Sequence, residues 1–176
     1  MSSFEFRRAK VTDSVKLSCL IKGAMVTYCE ESGIPAGHLE SMTEEVETIA
    51  DRIANNYCLC CFDGNEPVGT ITLSLVFNPL KYSFSEKTAG YLQNIQLAGY
   101  ISRFAVMRDL RSTGLGVELM NAALELASRQ GCDYALLHTA VTNTGMINFY
   151  KNRGFEIIDS EASRGYMRGL LGISLE

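Results

Sequence analysis

The sequence predicts an α/β protein in which a mixed sheet carries helices on its faces. Apolar residues recur with a strand period in some stretches and with a helical period in others. The resulting order is β-α-α-β-β-β-α-β-α-β-β, in which strands alternate with helices and helices must cover the sheet. A chain of 176 residues is long enough for one full hydrophobic core. Residues 1–176 are therefore predicted to form a single domain.

The N-terminal half is predicted from alternation, helix starts and turn residues. Thr43 opens an acidic first turn, which favours a helix start there because negative charge stabilises the N-terminal end of a helix. Asp63-Gly64-Asn65 is a hairpin turn signal, and Gly69 in the return strand is predicted to mark a bulge or bend. The predicted elements are a strand at 4–8, helices at 14–29 and 43–55, and strands at 57–62 and 67–77.

Regular periodicity fails between residues 78 and 99. This stretch is predicted to be a long connection with one helical turn. Because connections of this length are often functional, it is a candidate for closing over a substrate or for contacting a second subunit in a homodimer. The remaining predicted elements are a buried strand at 101–106, a central helix that ends at Gly131, a strand at 134–139, a helix at 143–152, and strands at 155–159 and 166–173.

The strand–turn–helix stretch at 101–126 is the most informative part of the chain. Its turn reads Arg111-Ser-Thr-Gly114-Leu-Gly116. Free amides and the helix dipole make a helix N-terminus an anion site, and glycines let a phosphate approach the backbone. The turn lacks the Gly-Lys-Ser/Thr ending of a triphosphate-binding loop and the earlier glycine of a dinucleotide fingerprint. A purely structural role for the two glycines, which is to permit the turn, is the competing interpretation.

The motif Arg111-x-x-Gly114-x-Gly116 resembles the pyrophosphate-binding signature of the GNAT superfamily, the acyl-CoA-dependent N-acyltransferases. The resemblance implies a GNAT-like fold, a mixed and mostly antiparallel twisted sheet flanked by helices, and acetyl-CoA as co-substrate. The cofactor-binding residues that it implies are Phe104, Ala105, Val106, Arg111, Ser112, Thr113, Gly114, Leu115, Gly116, Asn143 and Tyr150.

A second motif spans residues 143–155. Asn143 can cap a short helix and Gly154 can turn the chain into the next strand, which explains most of the segment without any chemistry. The segment also resembles the GNAT pattern Asn-x-x-Ala-x-x-Leu/Phe-Tyr-x-x-x-Gly-Phe, with Met146 in place of the usual alanine. By that resemblance, Asn143 contacts the pantetheine arm, and Tyr150 is the catalytic acid that protonates the leaving thiolate.

The general base is left open by the sequence. Many GNAT enzymes place a glutamate on or beside the strand that enters the first motif, but this strand has no carboxylate. Ser102 and Arg103 are candidates to hold substrate or water, although neither is a base at neutral pH. Glu30 and Glu31 are candidates for the acceptor site, and a solvated helix end is the competing interpretation. A water chain to solvent is the remaining route for the proton.

The resemblance implies an N-acetyltransferase in which a primary amine, on a small molecule or a peptide, attacks the thioester directly. A backbone amide near Phe104 or Val106 would hold the oxyanion. Two alternatives are a non-catalytic acyl-CoA sensor and a longer-chain acyltransferase. The second arises because the strand at 102–106 faintly resembles that of acyl-homoserine-lactone synthases, which generally lack the glycine signature.

Composition restricts the remaining function classes. Hydrophobic residues make up 47% and charged residues 20%, which is ordinary for a globular protein. The net charge of −4 argues against nucleic acid or an anionic membrane as the main partner and mildly favours a cationic acceptor. No apolar stretch suits a bilayer span or a signal core, so a cytoplasmic location is expected. The six cysteines and two histidines lack zinc-site spacing, and no metal is predicted.

Overall fold

A computed structural model describes residues 4–176, which include a seven-stranded sheet. The strands are β1 (Phe4–Arg8), β2 (Tyr57–Asp63), β3 (Glu66–Phe77), β4 (Leu97–Val106), β5 (Tyr134–Ala140), β6 (Glu156–Ser163) and β7 (Tyr166–Ser174). Their order across the sheet is β1-β2-β3-β4-β5-β7-β6. Only the β4–β5 pair is parallel, and the other five pairs are antiparallel. This mixed sheet confirms the predicted fold class.

Helices cover both faces of the sheet. They are α1 (Ser14–Ser32), α2 (Glu40–Thr43), α3 (Val46–Asn55), α4 (Glu86–Leu92), α5 (Leu115–Arg129) and α6 (Thr144–Lys151). Adjacent strand residues point to opposite faces, so Cys60 packs in the core beneath α1 and α3, whereas Cys61 packs in the core beneath α5. Within residues 4–176, no helix is both long and apolar enough to cross a membrane.

The helix predicted from Thr43 is divided in the structure. α2 ends at Thr43 and α3 begins at Val46, because Glu44 and Glu45 have extended backbone conformations. The side chain of Glu44 is turned into the protein, where it pairs with Arg103 and Arg52. The extended backbone places the Glu44 carboxylate beside Arg103 and Arg52. Because this conformation is not helical, α2 and α3 are two separate helices.

The stretch at 78–99 is more regular than predicted. It contains a 3₁₀ turn at Pro79–Tyr82 and the two-turn helix α4, and β4 already begins at Leu97. Ser85 caps α4 through a reciprocal pair of hydrogen bonds with Thr88. Leu92 anchors the helix in the core. The segment is thus an ordered connection of residues 78–96, and the prediction of a single helical turn was wrong.

Two strand glycines make room for neighbouring side chains. A Cβ atom at Gly69 would lie 2.7 Å from Cδ1 of Leu119, and one at Gly99 would lie 2.9 Å from Cβ of Ala127. Both neighbours belong to α5, so these glycines allow the helix to pack closely on the sheet. The bulge predicted at Gly69 lies beside it, because the register between β2 and β3 skips Val68.

Candidate active site

The two parallel strands separate partway along their length. β4 and β5 pair only as far as Tyr100 and Leu136, although β4 continues to Val106 and β5 to Ala140. Backbone groups along the separated ends need other partners. One of them, the amide of Ala140, donates a 2.7 Å hydrogen bond to the hydroxyl of Tyr28 on α1. A cavity of about 790 Å³ is lined by both separated strand ends.

A β-bulge bends β4 where it borders this cavity. Thr70 and Thr72 of β3 pair with Ala105 and Ser102 of β4, so two residues of β4 lie opposite one residue of β3. Arg103, inside the bulge, has a φ of 49°, a left-handed conformation that is uncommon for residues other than glycine. A bulge bends its strand, and this one lies just beyond Tyr100, the last residue of β4 that pairs with β5.

The N-terminus of α5 lies against one end of the cavity. Its N-cap, Gly114, has a φ of 95°, which glycine adopts without strain. The first intrahelical bond runs from the amide of Glu118 to the carbonyl of Gly114, so the amides of residues 115–117 have no partner within the helix. Gly114 and Gly116 line the cavity. These free amides suit an anionic group of a ligand.

Two arginines flank this helix end. Arg111 lines the cavity and its Nε donates to the carbonyl of Val106 at 3.2 Å. Arg153 also lines the cavity, and its guanidinium lies 3.7 Å from the ring centre of Phe149. Phe149 in turn packs on Phe104, with ring centres 5.5 Å apart. The sequence did not single out Phe149 or Arg153, which face the cavity from α6 and the turn that follows it.

Tyr150 on α6 lines the cavity although it is only 6% exposed. Its ring makes edge contacts with Phe149 and Phe155. Burial raises the pKa of Tyr150 well above its ordinary value, and Tyr28 and Tyr100 raise it further. The hydroxyl therefore keeps its proton at neutral pH and can act as a hydrogen-bond donor.

Tyr100 and His138 form a polar pair on the two parallel strands. The Tyr100 hydroxyl lies 2.8 Å from Nδ1 of His138, and the ring of Tyr82 stacks on Tyr100 with a centroid distance of 4.2 Å. Burial, and next the charges of Arg168 and Arg164, lower the pKa of His138 to about 3. The ring is therefore neutral at pH 7, and a single hydrogen bond joins its Nδ1 to the Tyr100 hydroxyl.

The pair of Tyr100 and His138 was missed by the sequence analysis, which considered His138 only as a metal ligand. A signal was present, because His138 lies in the predicted strand directly before the second motif. Among residues 4–176, no three His, Cys, Asp or Glu side chains lie close enough together to hold a metal ion.

Arg103, a predicted substrate-binding residue, is held by a buried carboxylate. Its Nε and one terminal nitrogen donate to Glu44 at 2.9 and 3.0 Å, and Arg52 also pairs with Glu44. The Glu44 side chain is only 2% exposed. Burial alone would raise the pKa of Glu44, but the hydrogen bonds and charges of Arg103 and Arg52 outweigh it and lower the pKa. The carboxylate therefore stays ionised and fixes Arg103 within the bulge.

The structure brings most of the predicted site residues to this cavity. Those that line it are Glu31, Ser102, Arg103, Phe104, Ala105, Val106, Arg111, Ser112, Gly114, Gly116 and Tyr150. The side chains of four others are not part of the lining, namely Glu30, Thr113, Leu115 and Asn143.

In each of the three cofactor-binding candidates of that second group, the side chain has a structural role. Leu115 is buried in the core beneath α5, and the exposed Thr113 donates to the carbonyl of Leu110 at 2.6 Å. Asn143 caps α6 as predicted, because its Oδ1 accepts from the amide of Met146. Its Nδ2 donates to Ser32 of α1, so its polar groups are engaged within the protein.

Comparison with known families gives a match over most of the chain. The model of the acetyltransferase (GNAT) family matches residues 26–155. N-alpha-acetyltransferase 30 of Saccharomyces cerevisiae is 35% identical over 63 residues, which are 36% of this chain and 36% of that protein. The protein of the same name from Homo sapiens is 32% identical over 78 residues, which are 44% of this chain and 21% of that protein. The chain therefore spans about a third or less of these relatives.

Solved structures share the whole fold. The PaiA N-acetyltransferase of Thermoplasma acidophilum, solved in complex with coenzyme A, superposes with a TM-score of 0.77 at 16% identity, covering 98% of this chain and 99% of that one. A GNAT-family acetyltransferase from Streptococcus agalactiae superposes with a TM-score of 0.78, also at 16% identity, over 98% and 96% of the two chains. At such identity, the similarity is one of fold alone.

Proposed function

Because the chain belongs to the acetyltransferase (GNAT) family, we propose that it is an N-acetyltransferase that transfers an acetyl group from acetyl-CoA to a primary amine. One observation carries the proposal: a single cavity between β4 and β5 is lined by the N-terminus of α5 and also by the pair Tyr100–His138. The names of the N-alpha-acetyltransferase relatives support an α-amine of a polypeptide as one form of this acceptor.

The residues at the helix end fit a CoA molecule. The free amides of residues 115–117, together with Arg111 and Arg153, provide donors and positive charge for its phosphates. The separated strand ends offer backbone groups to an amide-containing arm such as pantetheine. When bound, acetyl-CoA supplies an acetyl thioester, whose carbonyl carbon is open to attack by an amine.

The acceptor would approach from the opposite face of the sheet. Phe104 and Phe149 pack with the core beneath α5, whereas Tyr82 and Tyr100 pack with the core beneath α4. The cavity is lined by residues of both sets, so it passes through the sheet between the separated strands. Two substrates that enter from opposite faces can meet there without an acyl-enzyme stage.

The proposed reaction forms a C–N bond and breaks the C–S bond of the thioester. The neutral amine attacks the carbonyl carbon, and a backbone amide near Phe104 or Val106 stabilises the oxygen. A histidine with a pKa of about 3 is a weak base, so we assign His138 and Tyr100 the role of orienting a water that carries the amine proton to solvent. The neutral phenol of Tyr150 donates to the departing sulfur.

A thiol-release assay tests this function. Purified protein is incubated with acetyl-CoA and a panel of peptide α-amines and small amines, and free CoA thiol and acetylated product are both measured. For at least one acceptor, we expect free CoA thiol and acetylated amine to form in equal amounts. Acetyl-CoA binding without turnover of any amine would favour a sensor. Faster turnover with hexanoyl-CoA than with acetyl-CoA would favour a longer-chain acyltransferase.

A further inference from the structure

Among the residues that the structure describes, Arg168 has no carboxylate partner on the side of the cavity that holds Tyr100 and His138. Arg168 on β7 is half-buried and lines the cavity, and over the described range 4–176 it forms no salt bridge. Other arginines near the acceptor side are engaged: Glu44 holds Arg103, and Glu40 lies 3.4 Å from Arg164. Arg168 therefore has donors that no carboxylate among residues 4–176 engages.

The neighbours of Arg168 are mostly aromatic. Arg168 lines the cavity together with Tyr82, Tyr100 and His138. Tyr82 stacks on Tyr100 and makes an edge contact with His138. Aromatic walls lower the local dielectric constant, and an opposite charge is attracted more strongly there than in open water.

None of the nearby carboxylates in the described part of the chain forms an ion pair with Arg168, so its guanidinium can bind an anion of a ligand. Glu161 is its direct neighbour on β6 but forms no ion pair with it. Two carboxylates line the cavity. Glu31 lies in the last turn of α1, and Glu40 pairs with Arg164. The guanidinium can thus offer two parallel N–H donors to a planar or tetrahedral anion.

We infer that the acceptor is an amine that also carries a carboxylate or phosphate group, and that Arg168 binds this group. The inference rests on the proposed acetyl transfer and adds the chemical class of the acceptor. It reverses the expectation of a cationic acceptor, which came from the net charge of −4. The net charge is spread over the whole surface, whereas the charge of Arg168 is located in the cavity beside the pair Tyr100–His138.

Matched pairs of amines test the inference. Each pair differs only in the anionic group: aminoethyl phosphate and aminoethanol, an amino acid and its amide, and two peptides with Glu or Gln at the second position. We expect kcat/KM to be at least about tenfold higher for the anionic member of one or more pairs, the size of a charge-assisted hydrogen-bond pair. Arg168→Gln should bring that ratio close to one, and Arg168→Lys should give an intermediate ratio.

Arg129→Gln is the matched control, because Arg129 is exposed on α5 and pairs with Glu125 at 3.7 Å. It should keep the wild-type ratio, and thermal unfolding should show that all three variants are folded. The inference would be overturned if every anionic amine were acetylated no faster than its neutral counterpart, or not at all. It would also be overturned if Arg168→Gln kept the wild-type ratio of kcat/KM between the anionic and the neutral amine. In each of these cases, acetylation of the neutral amines would leave the proposed function standing. Failure to bind acetyl-CoA in calorimetry would overturn the proposed function itself.

Discussion

Tyr150 is kept neutral by the apolar side chains around it, and this determines what it can contribute to catalysis. We predict that Tyr150→Phe lowers kcat by roughly ten- to a thousandfold, the range for one positioned acid or hydrogen-bond donor. The KM for acetyl-CoA should change little, because the phenol acts mainly in the transition state. Steady-state kinetics on a verified acceptor measure both. Full activity of the variant would show that Tyr150 only packs.

The raised pKa of Tyr150 also bears on the pH profile. A phenol that keeps its proton to very high pH cannot cause a loss of rate between about pH 8 and pH 10. If the rate falls in this pH range in the wild type, the same fall should therefore be seen in Tyr150→Phe.

His138 gives a testable dependence of stability on pH. Its pKa in the folded protein is about 3, below the ordinary value of 6.5. Between these two values the unfolded chain binds a proton that the folded chain does not, so the free energy of unfolding falls as the pH is lowered from about 6.5. Urea unfolding at pH 7 and pH 5 should show a smaller loss in His138→Gln than in the wild type. Equal losses in the two proteins would contradict the buried, neutral state of this ring.

At the level of single residues, the sequence predicted what local chemistry specifies. Gly114 was predicted correctly as part of the turn because its φ of 95° is a local requirement. The hydrogen bond between Tyr100 and His138 was not predicted because its partners are 38 positions apart in the chain. Their contact depends on how the parallel strands pair, and a single sequence gives no register for them.

At the level of elements, the bulge of β4 contains Arg103, which pairs with the buried carboxylate of Glu44. Glu44→Gln would leave Arg103 and Arg52 partly buried beside a neutral amide. We predict a loss of about 3 kcal/mol in the free energy of unfolding, typical of breaking a buried ion pair, and a lower kcat. Urea denaturation and the acetylation assay measure these effects. Glu47→Gln, on the exposed side of α3, should change stability by only about 0.5 kcal/mol. Similar losses in both variants would contradict the role of Glu44.

The connection at 78–96 contributes to the acceptor side of the cavity through Tyr82. This ring lines the cavity and stacks on Tyr100. We predict that Tyr82→Ala raises the KM for the acceptor by roughly two- to tenfold, as expected for the loss of an aromatic contact worth about 0.5–1.5 kcal/mol. The dissociation constant of acetyl-CoA should stay unchanged in calorimetry. An unchanged acceptor KM, together with an altered sedimentation profile, would indicate a subunit contact instead.

The helices whose bounds were predicted wrongly from the sequence are those that depend on tertiary contacts. α4 has only seven residues, too few to be stable alone, and Leu92 holds it in the core. α2 and α3 are separated by the inward turn of Glu44. By contrast, α5 was predicted because its buried residues Met120, Ala123 and Ala127 follow helical spacing along the sequence.

At the level of the whole molecule, the sheet separates two faces of the protein and has an opening between β4 and β5. The parallel pair β4–β5 is the place where the strands separate, and the helix end with free amides lies on one side of this opening. The order of elements along the chain predicted the fold class, and one contiguous motif predicted this helix end. It could not predict the opening, since the separation of two strands leaves no mark in either strand alone.

The central claim is that acetyl-CoA binds in this opening with its phosphates at the N-terminus of α5. Gly116→Val tests it, because a Cβ atom there would lie 3.3 Å from the Phe104 ring and a larger side chain would fill the cavity. Gly90→Val is the matched control, since a Cβ at Gly90 meets nothing within 4 Å and Gly90 is exposed on α4. Gly114 is less suitable, because its positive φ would strain any other residue.

Calorimetric titration of acetyl-CoA into the three proteins is the most direct measurement. The account predicts saturable one-to-one binding to the wild type and to Gly90→Val, at least tenfold weaker binding to Gly116→Val, and a rise in the melting temperature only where binding is retained. An absence of binding to the wild type, or equal affinity in all three proteins, would contradict the account.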